Sequence, residues 1–204
     1  MFAVVSCASK SEASIQDIIN QNKPTKVTTL VSFAGAKTLN GKFINTIDNV
    51  NGLSIYEYDF ERLAKVSEMN SGSIKSIQGK IYYKNGQISK NEGETWESTG
   101  VSEAVNFKLQ LDERNFKTFE YTPDGNSVNA TIAPENVQAV LGIAISTAED
   151  VSVNIVTNGK YLNRITISYK TTDGAAVVVD TSYTYSPVTL NFDPVVEDGA
   201  AENQ

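Results

Sequence analysis

Ile165-Thr166-Ile167-Ser168-Tyr169-Lys170-Thr171-Thr172-Asp173-Gly174-Ala175-Ala176-Val177-Val178-Val179 reads as two strands and the turn that joins them. Ile165, Ile167 and Tyr169 alternate with polar residues, and Val177, Val179, Tyr183 and Tyr185 resume the alternation beyond the turn. Successive side chains of a strand point to opposite faces, so a period of two marks a sheet with one buried face. Thr172-Asp173-Gly174 supplies the reversal, because Asp bonds its own backbone and Gly adopts positive φ without strain. A connection this short joins antiparallel strands only.

The same period recurs outward along the chain: at Val27, Thr29, Val31 and Phe33, at Ile77, Gly79, Ile81 and Tyr83, and at Val151, Val153 and Ile155. Asn85-Gly86 and Asn158-Gly159 predict type I′ hairpins, since Asn tolerates and Gly favours the positive φ that both central positions need. Pro123-Asp124-Gly125-Asn126 predicts a further turn, so the C-terminal half reads as a meander. Two segments carry helical spacing instead. Ile15, Ile18 and Ile19 form one stripe behind Ser14-Ile15-Gln16-Asp17, which fits a capping box, and Pro24 sets the end near Asn22. Pro134 opens a second helix carrying Val137, Val140, Leu141 and Ala144. Residues 60–69 and 102–108 are weaker helix candidates, and residues 105–111 also alternate like a strand.

Composition bounds the function. The 204 residues, 40% of them apolar, suit one domain, and no apolar run reaches the roughly 18 residues that span a bilayer. With 24 acidic against 17 basic side chains, the chain lacks the clustered Lys and Arg that bind nucleic acid. The absence of histidine removes Ser-His and Cys-His hydrolases and imidazole zinc sites, and no Gly-rich phosphate loop is present. No cofactor, metal site or catalytic residue is therefore expected. Glu57, Asp59 and Glu61 alternate with Tyr56, Tyr58 and Phe60; carboxylates roughly 7 Å apart on one strand face would suit a glycosidase pair or a hard cation. An amphipathic strand with its charge outward gives the same pattern. The nine tyrosines likewise suit half-buried strands or a sugar or lipid pocket. Asn129-Ala130-Thr131 is formally a glycosylation sequon.

Ser89-Lys90-Asn91-Glu92-Gly93-Glu94-Thr95-Trp96 resembles the Asp-box of sialidases and other propellers, where it is a structural hairpin; a single copy makes no propeller. Val4-Val5-Ser6-Cys7 resembles the lipobox of bacterial lipoproteins, with residues 8–12 as a polar tether. That resemblance implies cleavage before Cys7, acylation of Cys7 with chains such as palmitate, and an extracytoplasmic protein anchored to the cell membrane. A complete signal peptide carries a charged region and roughly 7–15 apolar residues, which residues 1–6 only partly supply.

The order of elements is an N-terminal helix, a run of antiparallel strands that includes Lys84-Asn85-Gly86 and the Trp96 hairpin, a helix after Pro134, and a closing meander ending in Tyr183-Thr184-Tyr185-Ser186-Pro187. With the lipobox, this order resembles the LolA/LppX-like family of exported lipoproteins and lipoprotein carriers. The resemblance implies an α+β fold that is mostly antiparallel β: a curved open half-barrel whose concave face is covered by two to four helices, around an apolar cavity for acyl chains. The organisation expected is a truncated signal peptide and tether over residues 1–11, one domain over 12–193 and an acidic flexible tail over 194–204. The function expected is a non-enzymatic, membrane-anchored surface lipoprotein that holds a lipid or other hydrophobic ligand. Val31, Phe33, Ile81, Tyr83, Ile165 and Ile167 are the cavity candidates, although the same residues would fill a dry core. The competing reading is a surface interaction or adhesion module that contacts protein or wall polymer through exposed aromatics over a solid core.

Overall fold

The computed structural model describes residues 12–63, 74–84, 87–91, 97–101, 113–142 and 145–191. Cys7, the Asn85-Gly86 turn, Trp96, the 102–108 helix candidate with residues 105–111, Ala144 and the acidic tail lie outside the described residues. Among those described, the chain is α+β and mostly antiparallel β, with eleven strands and two short helices. It groups into two compact units, one from Met1–Asn22 and Phe107–Val178, the other from Lys23–Asn106 and Val179–Gln204.

The first unit holds both helices, α1 (Glu12–Gln21) and α2 (Val137–Leu141), with strands β7 (Thr118–Tyr121), β8 (Ser127–Ile132), β9 (Val151–Thr157), β10 (Leu162–Lys170) and the start of β11 (Ala176–Thr184). Its strands follow the order β7-β8-β9-β10-β11. Register places Val128 opposite Ile155, Ala130 opposite Val153, and Ile165 and Ile167 opposite Ile155 and Val153, so the alternating aliphatics fall on one face. That face is sealed: Val128, Ile132, Val151 and Ile155 are fully buried, as are Ile15 of α1 and Val137, Val140 and Leu141 of α2. At the outer strand, Phe116, Phe119 and Tyr121 meet edge to face at 5.1 and 5.6 Å, a geometry that the ring quadrupole favours.

Three local expectations are corrected. Among the described residues helix α1 runs Glu12–Gln21, so Ser14 lies within the helix and not at the position ahead of it that a capping box needs. The 60–69 helix candidate is strand through its described part, because β3 runs Leu53–Leu63. Asn158-Gly159 sits in a four-residue connection, with Leu162 paired to Thr157, and makes no two-residue hairpin. There the Asn158 side chain accepts the N–H groups of Lys160 and Tyr161 at 3.1 and 2.7 Å, and Gly159 takes φ 84°. A side chain that satisfies two backbone donors stabilises the longer loop over the two-residue turn.

The second unit is the remaining sheet: β1 (Lys26–Ala34), β2 (Thr38–Asp48), β3, β4 (Ile74–Lys84), β5 (Gln87–Asn91) and β6 (Glu97–Val101), in that order, with the later residues of β11 beside β1. Thr25 ties β1 to the end of β11: its N–H donates to Thr184 O at 2.8 Å and its hydroxyl to Ser186 O at 2.6 Å. The β2–β3 reversal is built on Asp48, which is 1% exposed. One carboxylate oxygen accepts the backbone N–H groups of Val50 and Asn51, both at 3.0 Å. The other accepts the Asn51 amide at 2.7 Å and the Leu190 N–H at 3.1 Å. Led by the Asn51 hydrogen bonds, these donors hold the Asp48 carboxyl down at about 2.

Two outcomes follow from this packing. Replacing Ile155 by Ala should cost about 2–5 kcal/mol, read by denaturant unfolding, because the site is closed on every side. A folded-state pKa below the unfolded value contributes stability at neutral pH that is lost as pH falls from about 4 towards 2. Asp48→Asn should therefore melt lower at pH 7 and lose less on acidification over that window than the parent does; parallel Tm-versus-pH curves would contradict this role.

Candidate functional site

Strands β2, β3 and β4 of the second unit carry an aromatic face. Register sets Phe43 opposite Tyr58, Gly41 opposite Phe60 and Asn45 opposite Tyr56 across β2–β3, and Tyr56, Tyr58 and Phe60 opposite Ile81, Gly79 and Ile77 across β3–β4. Paired residues project to the same side, so all of these share one face. The rings touch in series: Phe43 stacks on Tyr56 at 6.1 Å and on Phe60 at 6.2 Å, with planes 18° and 24° apart. Tyr58 bridges Tyr56 and Phe60 at 6.4 and 6.0 Å. Gly41 makes room for this, since a Cβ there would stand 3.1 Å from Phe43 Cε2 and 3.4 Å from Phe60 Cβ.

The face extends to β1 and β11. Val31 lies opposite Gly41, Phe33 opposite Leu39 and Thr29 opposite Phe43. Thr29 meets Thr181 hydroxyl to hydroxyl at 3.1 Å, which puts Thr181, and by alternation Tyr183, on the same side. Burial pushes the Tyr183 hydroxyl up to about 12 and raises that of Tyr56, because the phenolate is poorly solvated there. Yet this face is not closed as the first unit's is. Its side chains are half-buried, and Tyr56 remains 37% exposed. Two buried polar atoms on it, Asn45 Oδ1 and Arg62 Nε, have no hydrogen-bond partner among the described residues.

Four of the six cavity candidates, Val31, Phe33, Ile81 and Tyr83, thus fall on one aromatic face. Ile165 and Ile167 belong to the first unit, where they are 4% and 5% exposed among its core aliphatics. Phe43, Tyr58, Phe60 and Tyr183 were not among the candidates; the Tyr56-to-Phe60 alternation was visible, but its match to Phe43 depends on register. Glu57, Asp59 and Glu61 occupy the opposite side of β3, each held by neighbouring strands. Glu57 pairs with Lys80 at 2.8 Å, Asp59 accepts Ser76 and Gln78 at 2.8 and 3.0 Å, and Glu61 accepts the Asn40 N–H and amide at 2.9 and 3.2 Å. That is the chemistry of a solvated sheet surface.

On the first unit, the side of β7–β10 away from the core bears a groove of about 300 Å³ lined by hydroxyls and amides. Thr118 and Thr131 share a hydrogen bond of 2.6 Å, and Asn154 donates to the sequon residue Asn129 at 2.8 Å, so its polar groups largely satisfy each other. Among the described residues, no group of three or more carboxylate, thiol or imidazole side chains could hold a metal ion, and no helix is long and apolar enough to cross a membrane.

Gly41→Ala tests the aromatic packing: displacing the Phe43 ring should alter the near-UV circular dichroism and cost about 1 kcal/mol, whereas an unchanged spectrum would mean that the rings do not depend on the glycine.

No family model and no curated protein matches the chain. Among solved structures it is similar to LprF from Mycobacterium bovis, at 13% identity and a TM-score of 0.42, over 89% of this chain and 95% of that one. It is also similar to the hypothetical protein CT021 from Chlamydia trachomatis, at 10% identity and a TM-score of 0.35, over 87% of this chain and 98% of that one. Likeness at this level assigns neither activity nor residues to the chain.

Proposed function

We propose that this chain is a non-enzymatic binding protein that holds the apolar part of a lipid or similar hydrophobic ligand against the aromatic face of its second unit. The observation that carries the reading is the contrast between the units. The first buries the core-facing aliphatics of β8, β9 and β10, at 5% exposure or less, whereas the second leaves Phe43, Tyr56, Tyr58 and Phe60 only partly buried on a sheet with little closed core of its own. Aromatic rings gain most from burial, at about 25 cal/mol per Å² of apolar surface, so a face left partly wet has affinity in reserve for an apolar partner. The absence of histidine and the engagement of every carboxylate on β3 support a role without catalysis. The lipobox-like Val4-Val5-Ser6-Cys7 supports an extracytoplasmic protein anchored to the cell membrane through Cys7, with acylation by more than one chain, since a single chain holds weakly.

The second reading, a surface interaction module, draws on the exposure of Tyr56 and the self-satisfied polar groove of the first unit. Native mass spectrometry of the protein purified from bacteria, followed by solvent extraction, separates the two. A bound mass that releases as fatty acid or phospholipid is expected, and it should fall at least severalfold in Phe43→Ala/Tyr58→Ala while Tm shows the variant folded. A clean apo mass with no uptake of added lipid would favour the interaction module.

A further inference from the structure

The aromatic face is cationic at one end. Arg62 follows Phe60 by two residues on β3, which puts it on the side of Tyr56, Tyr58 and Phe60. Across the β3–β4 pair its register partner is Lys75, so two positive charges stand together where the run of rings stops. Arg62 is half-buried, its Nε is inaccessible to water, and among the described residues that N–H meets no acceptor. The carboxylates nearest in sequence offer no relief. Asp59 and Glu61 project from the other side of β3, where Ser76, Gln78 and Asn40 occupy them. A buried guanidinium N–H without an acceptor is unfavourable, and an anion brought by a ligand would remove that cost.

From Arg62 the face runs apolar through three cross-strand steps, Phe60 with Ile77, Tyr58 with Gly79 and Tyr56 with Ile81. Six residues of strand span roughly 20 Å at about 3.4 Å each. That exceeds the depth of one bilayer leaflet, about 15 Å, so one extended acyl chain fits along it. We infer that the occupant of this face is a long-chain fatty acid, its carboxylate on Arg62 beside Lys75 and its chain laid along Phe60, Tyr58 and Tyr56. The inference rests on the reading above that the face holds an apolar ligand, and it adds the charge and direction of that ligand. A carboxylate matches the guanidinium fork, which offers Nε–H and a terminal N–H in one plane. A single lane and a single fork favour one chain with one small head over a branched phospholipid.

Three ligands with the same chain test it: dodecanoate, dodecanol and dodecyl phosphate, titrated into the full chain by calorimetry at pH 8, the two anions below their micelle concentrations and the alcohol below its solubility limit. Dodecanoate should bind about tenfold tighter than dodecanol, the size expected of one charge-assisted hydrogen-bonded pair. Arg62→Gln should bring dodecanoate down to the dodecanol value and leave dodecanol unchanged, and Arg62→Lys should restore part of the preference; Tm measurements confirm that the variants fold. Equal affinity of the parent for dodecanoate and dodecanol, or a preference that survives Arg62→Gln, would overturn the inference. Tighter binding of dodecyl phosphate than of dodecanoate would also overturn it, in favour of a phospholipid head. Binding of none of the three would remove the apolar-ligand reading as well, which keeps the two failures distinct.

Discussion

The carboxylate of Asp48 fixes the β2–β3 reversal, on which the aromatic face of the second unit depends. It sits at the last pair of the β2–β3 ladder, opposite Leu53, and accepts four hydrogen bonds, three from the reversal that it closes and one from Leu190. By closing that loop it sets which residue of β2 faces which residue of β3. A slip of one residue would carry Tyr56, Tyr58 and Phe60 to the other side of the sheet and bring Glu57, Asp59 and Glu61 in beside Phe43. The aromatic series, and the reading of function that depends on it, therefore require this turn to hold one register.

The two units use the same alternation to opposite ends. In the first, the inward aliphatics of β8, β9 and β10 are sealed with Ile15, Val137, Val140 and Leu141. Aliphatic side chains interdigitate to a dry core, and nothing there has reason to open. In the second, one side of the sheet carries stacked rings with Gly41 and Gly79 between them. Rings spread over a sheet cover area without filling volume, which suits a surface that accepts a chain more than one that packs against itself.

Polar groups on the aromatic face carry a different kind of information. Asn45 and Arg62 each hold a buried atom without a partner among the described residues, on a side of the sheet where an aliphatic residue would have avoided the penalty. On the opposite side of β3 every carboxylate is engaged by a cross-strand neighbour. These two unsatisfied atoms, one on β2 and one on β3, thus lie on the side where an apolar ligand would lie.

The period-two runs, the turn residues Asp124-Gly125 and Asp173-Gly174, and the helix after Pro134 were legible in the sequence, because each depends on neighbours a few residues away. The exclusion of histidine chemistry needed composition alone. Asn158-Gly159 was misread because a side chain that accepts two N–H groups outweighed the turn preference of the dipeptide. Alternation showed that Tyr56, Tyr58 and Phe60 share a side, but only strand pairing put Phe43 among them, set Lys75 beside Arg62 and assigned Ile165 and Ile167 to a closed core. Those relations join residues far apart in the chain, and register is settled by the tertiary competition between faces, which no local pattern encodes.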